Sequence, residues 1–409
     1  MKIAVIGLGF VGLTTALGFA SKGFQVSGCD NNRQRVQSIL NREVPFLEPG
    51  LPEALNHTLG KTFFPTSSIQ EAMFETDAVF FCTGTPCGQD NRADLTDLCA
   101  AVDSAAEIAS KTCVFVVKST VPPGTVKNKI IPRIQNRPAA MNPEFLRESR
   151  AWEDFMDPDR IVIGTESRQA QKVLTELYTP FGAPIHFVSL STAEFVKYLS
   201  NCLLANLISF SNEMALLAEK TGDVSVQDAF HILQEDKRLR GAGIGSYIYP
   251  GCGYGGSCLP KDTSALAVHA HDVGVDTPIL CSVIGTNQGM AVKMAQKIIA
   301  KTTSKEDNIG ILGLAFKPGS DDVRYSPAAG IISELVSLGY TNIFAHDPAA
   351  NKNFEQSFQF ASVRYCESAE ELCEGCHTVA VVTTWEEFAD IHKRYPDISF
   401  IDCRFFLKP

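Results

Sequence analysis

The sequence lacks both a long apolar run and an excess of positive charge. No stretch approaches the roughly 18 to 20 consecutive apolar residues that a membrane-spanning helix requires, so no membrane partner is expected. The formal net charge is −10, which argues against nonspecific binding of nucleic acid, because such binding needs a basic surface. The apolar start at residues 2–7 is too short for a secretion signal and runs into a glycine turn.

Low-complexity segments and short-period repeats are also absent, and the cysteine count is odd. The 13 cysteines are scattered through strand-like and helix-like runs, which is typical of thiols in a reducing cytosol and not of a disulfide framework. A length of 409 residues suffices for about two or three domains, each with its own core. We therefore expect a cytoplasmic protein.

Two stretches of alternating strand-like and helix-like sequence flank a helical middle. In the first stretch, apolar runs separated by amphipathic segments predict buried parallel strands at 2–7, 24–30, 78–82, 113–118 and 160–164. Residues 192 to about 220 contain no proline or glycine and predict one long helix, and helical character resumes after Asp262 and continues to about Lys301. Further strands are predicted at 308–313, 343–347, 378–383 and 398–402. The predicted fold class is α/β, with two doubly wound parallel-sheet domains joined by a central helical domain.

A glycine-rich turn follows the first predicted strand. Gly7, Gly9 and Gly12 have the spacing that permits a tight turn, close approach to a pyrophosphate and close helix–strand packing. The second predicted strand ends at Asp30, where a carboxylate can bind ribose hydroxyls and would repel a 2′-phosphate, so NAD is favoured over NADP. Arg35 could pair with either a phosphate or Asp30. The alternative is a glycine turn in a domain that binds no dinucleotide.

Polar residues follow later strands at the edge where ligands of such sheets bind. They are Thr85, before Pro86, and the pair Ser119-Thr120. We expect them near a bound cofactor.

A second glycine-rich loop, residues 251–257, ends at Cys258. A helix-compatible run follows at 263–273, and the start of a helix favours a thiolate through its unpaired N–H groups and its dipole. Lys261 adds positive charge, and Asp262 is close enough in sequence to order the thiol or a water molecule. Cys258 is therefore a candidate nucleophile, and a buried structural cysteine is the alternative.

Charged and amide side chains recur in pairs spaced by four. Glu144 and Glu148 would be one turn apart if their segment were helical, and Lys197 and Asn201 share one face of the long predicted helix. A lysine and an asparagine presented together can stabilise a developing oxyanion. For any one pair, a solvated helix face is the alternative.

Cations also gather near the last predicted sheet. Lys317 follows the strand at 308–313, Arg324 lies shortly after it, and Arg404 follows the last strand. Such cations suit a diphosphate.

Six motifs occur in order along the chain: GLGFVG at 7–12, STVPPG at 119–124, NPEFLRE at 142–148, EFVKYLSN at 194–201, GYGGSCLPKD at 253–262 and AFKPGSDDVR at 315–324. Through them the chain resembles the UDP-glucose/GDP-mannose dehydrogenase family over its whole length. The resemblance implies an NAD-binding Rossmann domain at 1–191 and a central helical domain at 192–301 that forms a homodimer. It implies a C-terminal Rossmann-like domain at 302–409 that binds a nucleotide sugar.

The resemblance also implies a four-electron oxidation of a hexose C6 hydroxyl to a carboxylate with two NAD. UDP-glucose to UDP-glucuronate is the first expectation, and GDP-mannose and UDP-N-acetylglucosamine are the alternatives that share these motifs. Cys258 matches the nucleophile that traps the aldehyde as a thiohemiacetal and then carries a thioester. Lys197 and Asn201 match the oxyanion-stabilising pair, and Asp262 matches the residue that assists the cysteine and water.

The remaining matched residues complete the expected site. Thr120 and Glu148 match groups around the reacting centre, and Glu144 matches a carboxylate that handles water or a proton. The expected cofactor contacts are Gly7, Gly9, Phe10, Val11, Gly12, Asp30, Arg35, Thr85, Ser119, Thr120, Glu148 and Arg324. The expected substrate contacts are Phe145, Leu146, Lys197, Asn201, Tyr254, Gly255, Lys261, Phe316, Lys317 and Arg404.

Two departures from the family pattern concern selectivity. Tyr325 stands where relatives often have glutamate, and the stretch 236–243 is longer than its usual counterpart. In relatives this stretch supplies an arginine that reaches the substrate across the dimer, and either Arg238 or Arg240 could take that role.

Three other interpretations compete. A two-electron hydroxyacid dehydrogenase would need neither Cys258 nor a third domain, and an inactive NAD-sensing protein would be expected to have lost Cys258, Lys197 or Asp262. A metal site could be built from the sequence cluster Cys366, Cys373, Cys376 and His377. The Cys373–Cys376 pair lacks a second matching pair, so structural thiols are expected and no metal is predicted.

Overall fold

A computed structural model describes residues 1–240 and 244–407, except for the side chain of Arg240. The chain forms two compact units, Met1–Ser200 and a second that begins at Asn201. The predicted division into three domains places its boundaries elsewhere and remains a prediction. No helix in the described ranges is both long and apolar enough to cross a membrane.

The first unit contains eight strands and seven helices, and an eighth helix begins in it. The strands are β1 (Lys2–Ile6), β2 (Gln25–Cys29), β3 (Phe63–Thr66), β4 (Ala78–Phe81), β5 (Val114–Val117), β6 (Ala139–Met141), β7 (Ile161–Gly164) and β8 (Ile185–Val188). The helices are α1 (Phe10–Ser21), α2 (Arg33–Leu40), α3 (Leu51–Thr58), α4 (Ile69–Ala72), α5 (Thr96–Ile108), α6 (Ala151–Met156), α7 (Arg168–Tyr178) and α8 (Leu190–Thr221). A π-helical turn occupies Val126–Ile130, and 3₁₀ turns occupy Ile131–Arg133 and Thr179–Phe181.

The eight strands form one sheet in the order β3-β2-β1-β4-β5-β6-β7-β8. Ile3 and Val5 face one buried core, and Ala4 and Ile6 face the other. Both faces are therefore covered, as a doubly wound parallel sheet requires. The sheet is parallel apart from one place, where β6 and β7 pair antiparallel.

The second unit is built on a smaller parallel sheet with the order β11-β10-β9-β12-β13. Its strands are β9 (Ile309–Leu312), β10 (Ile343–His346), β11 (Val363–Tyr365), β12 (Thr378–Val381) and β13 (Ser399–Asp402). Its further helices are α9 (Val226–Gln234), α10 (Lys237–Arg240), α11 (Leu259–Asp272), α12 (Pro278–Ile299), α13 (Pro327–Ser337), α14 (Asn351–Phe358), α15 (Ala369–Gly375) and α16 (Ile391–Arg394). Short 3₁₀ turns occupy Gly245–Tyr247 and Glu386–Phe388. The predicted α/β class with a helical region in its middle is thus confirmed.

The helical middle differs in detail from its prediction. Helix α8 is continuous as predicted, but the following helical stretch is broken between α11 and α12. Gly274 has a φ of +76° there, and Pro278 opens α12, so the chain turns at a glycine and restarts at a proline. Helix α11 also begins at Leu259, four residues earlier than the predicted start at Thr263.

Candidate active site

The first glycine-rich turn joins β1 to α1. Gly7 has a φ of +90°, and a Cβ on Gly12 would lie 1.7 Å from the Gly7 carbonyl oxygen, so glycine is required at both positions. A Cβ on Gly9 would meet no atom within 4 Å. The turn therefore has the tight backbone, close helix–strand packing and open approach that a pyrophosphate needs.

Asp30 lies directly after β2 and is buried. One carboxylate oxygen accepts the Leu8 N–H at 2.7 Å and Arg35 Nη1 at 2.9 Å, and the other accepts the Asn32 N–H at 2.8 Å. Arg35 is thus paired with Asp30, which is one of its two predicted partners. Phe10 and Val11, in the first turn of α1, are half-buried.

Two loops at the carboxyl edge of the first sheet are bonded to each other. The Thr85 hydroxyl donates to the Thr120 carbonyl oxygen at 2.8 Å, and the Ser119 hydroxyl donates to the Thr83 carbonyl oxygen at 2.6 Å. Thr85 and Ser119 are buried, whereas Thr120 is half-buried. The hydroxyls of Thr85 and Ser119 therefore order the loops that follow β4 and β5.

Glu144 and Lys197 form a buried ion pair, with Lys197 Nζ 2.9 Å from a carboxylate oxygen. Burial alone would raise the pKa of Glu144, but the Lys197 ammonium, the Leu146 N–H and Lys118 outweigh burial and hold that pKa below its usual value. The Phe145 ring lies 5.6 Å from Lys197 Nζ.

Glu144 and Glu148 do not share a helical turn. Residues 142–149 are non-helical, so the condition under which the two carboxylates would share a turn is not met. Pro143 disfavours a helix there, and Ser149 has a φ of +63°. Glu144 is buried, whereas Glu148 is half-buried.

Two buried charged groups near this pair were not predicted. Lys118 Nζ donates to Asn142 Oδ1 at 2.9 Å, and burial lowers the pKa of Lys118 to about 8. The carboxylate of Glu194 accepts the N–H groups of Gly124 at 2.5 Å and Val126 at 2.7 Å, and burial raises the pKa of Glu194 to about 7. Lys118 directly follows the apolar run of β5, and Glu194 opens the motif at 194–201, but neither residue was singled out from the sequence.

In the second unit, Cys258 occupies the N-cap position of α11 and is exposed. The Ser257 hydroxyl lies 3.7 Å from its sulfur. Asp262, one turn later, is only 1% exposed and accepts Asn201 Nδ2 at 2.6 Å and Lys261 Nζ at 2.5 Å. The structure therefore brings Asn201, from α8, against Lys261 and Asp262 in the first turn of the helix that Cys258 opens.

The glycine-rich loop before Cys258 is packed closely on the segment after β9. A Cβ on Gly255 would lie 2.3 Å from the Tyr325 carbonyl oxygen, and a Cβ on Gly256 would lie 2.8 Å from the Phe316 ring. Tyr325 has a φ of +51° and an exposed side chain. Tyr254 is buried, and its backbone bonds to Asn287, a residue that was not predicted.

The predicted cations of the second unit lie in different surroundings. Lys317 is half-buried beside Phe316, whereas Arg324 is exposed and makes a two-pronged ion pair with Asp322, with Nη2 2.6 Å from Oδ2. Arg404 Nε donates to the Val382 carbonyl oxygen at 2.8 Å.

Of the two arginines predicted to cross a dimer interface, Arg238 is exposed and paired with Asp236. The side chain of Arg240 lies outside the described residues.

Asp347 follows β10 as Asp30 follows β2. Its carboxylate accepts the N–H groups of Leu314 and Ala315 at 2.8 and 2.9 Å and Trp385 Nε1 at 3.0 Å. It also accepts the N–H groups of Ala349 and Ala350, each at 2.9 Å.

Cys366, Cys373 and Cys376 are buried, and burial raises the pKa of Cys373 and of Cys376 to about 12. In the part of the chain that the structure describes, no group of three or more His, Cys, Asp or Glu side chains could hold a metal ion.

Comparison with family models matches three consecutive domains of the UDP-glucose/GDP-mannose dehydrogenase family. The NAD binding domain matches residues 1–182, the central domain 191–289 and the UDP binding domain 310–409.

Two similar curated proteins are named UDP-glucose 6-dehydrogenase. The one from Pseudomonas aeruginosa is 37% identical in an alignment that covers 98% of this chain and 90% of that protein. The one from Bacillus subtilis, YwqF, is 37% identical over 98% of this chain and 91% of its own length.

Solved structures give the same result. A UDP-glucose dehydrogenase from Pyrobaculum islandicum matches with a TM-score of 0.90 and 35% identity, over 99% of this chain and 94% of that one. A UDP-D-ManNAc dehydrogenase from Pyrococcus horikoshii matches with a TM-score of 0.87 and 27% identity, over 100% and 96%.

Proposed function

Because the chain belongs to the UDP-glucose/GDP-mannose dehydrogenase family and is an NAD-dependent oxidoreductase, we propose that it oxidises UDP-glucose at C6 to UDP-glucuronate. The reaction removes four electrons from one carbon in two hydride transfers. The family as a whole acts on nucleotide sugars, and the choice of UDP-glucose rests on the full-length relatives that carry that name.

The observation that carries the proposed mechanism is the position of Cys258 at the start of α11. The exposed sulfur lies where the unpaired N–H groups of a helix favour negative charge. Asp262, one turn later, is held by Asn201 and Lys261 at hydrogen-bonding distance. This arrangement suits a thiolate nucleophile with a carboxylate that orders water.

In the proposed sequence, the C6 hydroxyl loses a proton and a hydride and becomes an aldehyde. The Cys258 thiolate adds to that carbonyl carbon, and the resulting thiohemiacetal loses a second hydride and a proton to give a thioester. Water, oriented by Asp262, then attacks the thioester, the C–S bond breaks, and Cys258 is regenerated. Holding the carbon on one sulfur prevents release of the reactive aldehyde.

Oxygen-centred negative charge develops in each of these steps. Lys197 and Asn201 are four residues apart in one continuous helix, so their side chains leave it on the same face. We assign them the stabilisation of that charge. Glu144 keeps the Lys197 ammonium oriented, and Thr120 and Glu148 are assigned to the surroundings of the reacting carbon.

NAD accepts the hydride when bound. The residues proposed to hold it are the turn at Gly7, Gly9 and Gly12, with Asp30 at the ribose hydroxyls. The open approach at Gly9 and the buried carboxylate of Asp30 fit that role.

The sugar nucleotide is assigned to the second glycine-rich loop and to Lys317 and Arg404. A homodimer through the helical region is supported by Leu203, Phe210 and Leu217, which are spaced by seven on α8 and are each more than half exposed. Apolar side chains on one helix face in this number favour a protein partner.

The proposal is tested by incubating the protein separately with UDP-glucose, GDP-mannose, UDP-N-acetylglucosamine and UDP-N-acetylmannosamine in the presence of NAD. We expect about two NADH per UDP-glucose consumed, with a carboxylate as product. One NADH per sugar and a carbonyl product would replace the proposal with the two-electron interpretation, and preference for another sugar would replace UDP-glucose.

A further inference from the structure

Asn287, in α12, pairs with the backbone of the loop that precedes Cys258. Its Oδ1 accepts the Tyr254 N–H at 2.7 Å, and its Nδ2 donates to the Tyr254 carbonyl oxygen at 3.0 Å. One carboxamide thus satisfies both polar groups of one loop residue, as a neighbouring strand would.

The fit between Asn287 and the loop is close. Gly253 has a φ of +100°, and a Cβ there would lie 2.7 Å from Asn287 Oδ1, so the carboxamide lies directly against a bare backbone. A substitution at Gly253 and a loss at Asn287 would therefore disturb the same contact.

A second asparagine holds the loop three residues before Tyr254. The Gly251 N–H donates to Asn212 Oδ1 at 2.7 Å. Between the two held positions lies Cys252, which is 3% exposed and whose sulfur is 3.5 Å from the Val382 carbonyl oxygen. The burial of Cys252 therefore depends on the loop remaining where the two asparagines hold it.

The opposite side of the loop is held as well. The Gly256 N–H donates to the Arg324 carbonyl oxygen at 3.0 Å, beside the close contact of Gly256 with the Phe316 ring. A loop with glycine at 251, 253, 255 and 256 loses much conformational freedom when it is ordered, so its shape has to be fixed by such contacts.

We propose that Asn287 is a positioning residue for the reaction, which fixes the glycine-rich loop so that Cys258 is presented at the start of α11. This inference rests on the proposed function for the role of Cys258. The holding of the loop itself can be tested without substrate.

The test compares Asn287→Ala and Asn287→Asp with Gln288→Ala, which changes the exposed neighbouring residue of the same helix. Each full-length protein is treated with iodoacetamide, and labelling of every cysteine is followed by peptide mass spectrometry. For Asn287→Ala we expect labelling of Cys252 to accelerate at least about tenfold, while the buried thiols Cys366 and Cys113, which lie in other core clusters, stay protected. Turnover number should fall at least about tenfold, with little change in KM for NAD.

Asn287→Asp keeps the acceptor for the Tyr254 N–H but places an oxygen against the Tyr254 carbonyl, so both effects should be intermediate. Unchanged Cys252 labelling in Asn287→Ala would overturn the inference whatever happens to turnover. Equal acceleration at Cys252, Cys366 and Cys113 would also overturn it, because the role of Asn287 would then be general stability. If Asn287→Ala accelerates Cys252 labelling but Cys258→Ser keeps full turnover, Asn287 does hold the loop and the proposed function is rejected.

Discussion

Glu144 and Lys197 are joined by an ion pair of 2.9 Å from which water is largely excluded, since both side chains are at most 7% exposed. Neither charge can be removed alone without leaving the other buried and deprived of this partner. Removing either charge should therefore lower the free energy of unfolding by several kcal/mol, as is usual for a broken buried pair.

The first prediction concerns this pair. Lys197→Met should lower stability by about 3 to 5 kcal/mol at pH 8, because Glu144 then remains charged or must take up a proton. The loss should shrink toward pH 5.5, where a buried, unpaired carboxyl is protonated. Thermal unfolding of Lys197→Met, Glu144→Gln and the double variant at both pH values measures this effect. A double variant as unstable as the sum of the two single variants would argue against coupling.

The sign of the wild-type dependence follows from the lowered pKa of Glu144. The stabilisation from its ionised form is complete above the unfolded pKa, near 4.5, and is lost as the pH falls through the lower folded value.

The second prediction concerns Glu194, whose raised pKa gives the opposite sign. Between about pH 4.5 and 7 the folded protein binds a proton that the unfolded chain has released, so stability should fall as the pH rises. The stability lost over this pH range is about 3 kcal/mol, given the size of the shift in the pKa of Glu194. Unfolding midpoints measured from pH 5 to 8 should show that the stability of wild type falls relative to that of Glu194→Gln as the pH rises. Glu176→Gln, at an exposed position on α7, should track wild type throughout.

The third prediction concerns the choice of cofactor. NAD should be preferred over NADP by at least about 100-fold in kcat/KM, because Asp30 would repel a 2′-phosphate. Asp30→Ser should narrow that preference at least about tenfold and leave Arg35 without its carboxylate partner. Steady-state kinetics with both cofactors measures this preference. Equal use of both by wild type would mean that Arg35 dominates the pocket.

The fourth prediction concerns the two cysteines of the second loop. Cys258→Ser should abolish net turnover and keep binding of NAD and sugar nucleotide, since a hydroxyl is a far weaker nucleophile and a poorer leaving group. Cys252→Ser should stay active, because its hydroxyl can still donate to the Val382 carbonyl oxygen. The reverse pattern would move the nucleophile to Cys252, and two active variants would exclude covalent catalysis by this loop.

The fold class was predictable because its signals are local. The glycines after β1 and the unbroken run of α8 dictate their own conformations through sterics and helix propensity. The strands that were not predicted are β3, β6, β8 and β11, which are three or four residues long. Strand β3 contains Pro65, and β6 begins with two alanines, so neither has the β-branched composition that identifies a strand.

The residue types of the site were predictable, but their contacts were not. Asn201 lies 61 residues from Asp262, and Asn287 lies 33 residues from Tyr254, so no spacing rule connects either pair. Lys118 directly follows an apolar strand and Glu194 lies near the start of α8, and nothing in the local sequence shows that either charge is buried, since charged residues are ordinarily exposed. Contacts of this kind are set by packing between elements, which a single sequence does not encode locally.

The carboxylate of Asp347 has an implication for how the second unit recognises nucleotides. A carboxylate offers about four lone-pair sites, and this one already receives five donors from its own chain, whereas Asp30 receives three. Ribose hydroxyls therefore have no acceptor left at the position where a dinucleotide fold ordinarily offers one. The same strand–turn arrangement therefore leaves the carboxylate with a spare acceptor site in the first sheet. In the second sheet the carboxylate is fully used in bonds to its own chain. Grafting a second dinucleotide site onto this scaffold would have to begin by removing the indole of Trp385.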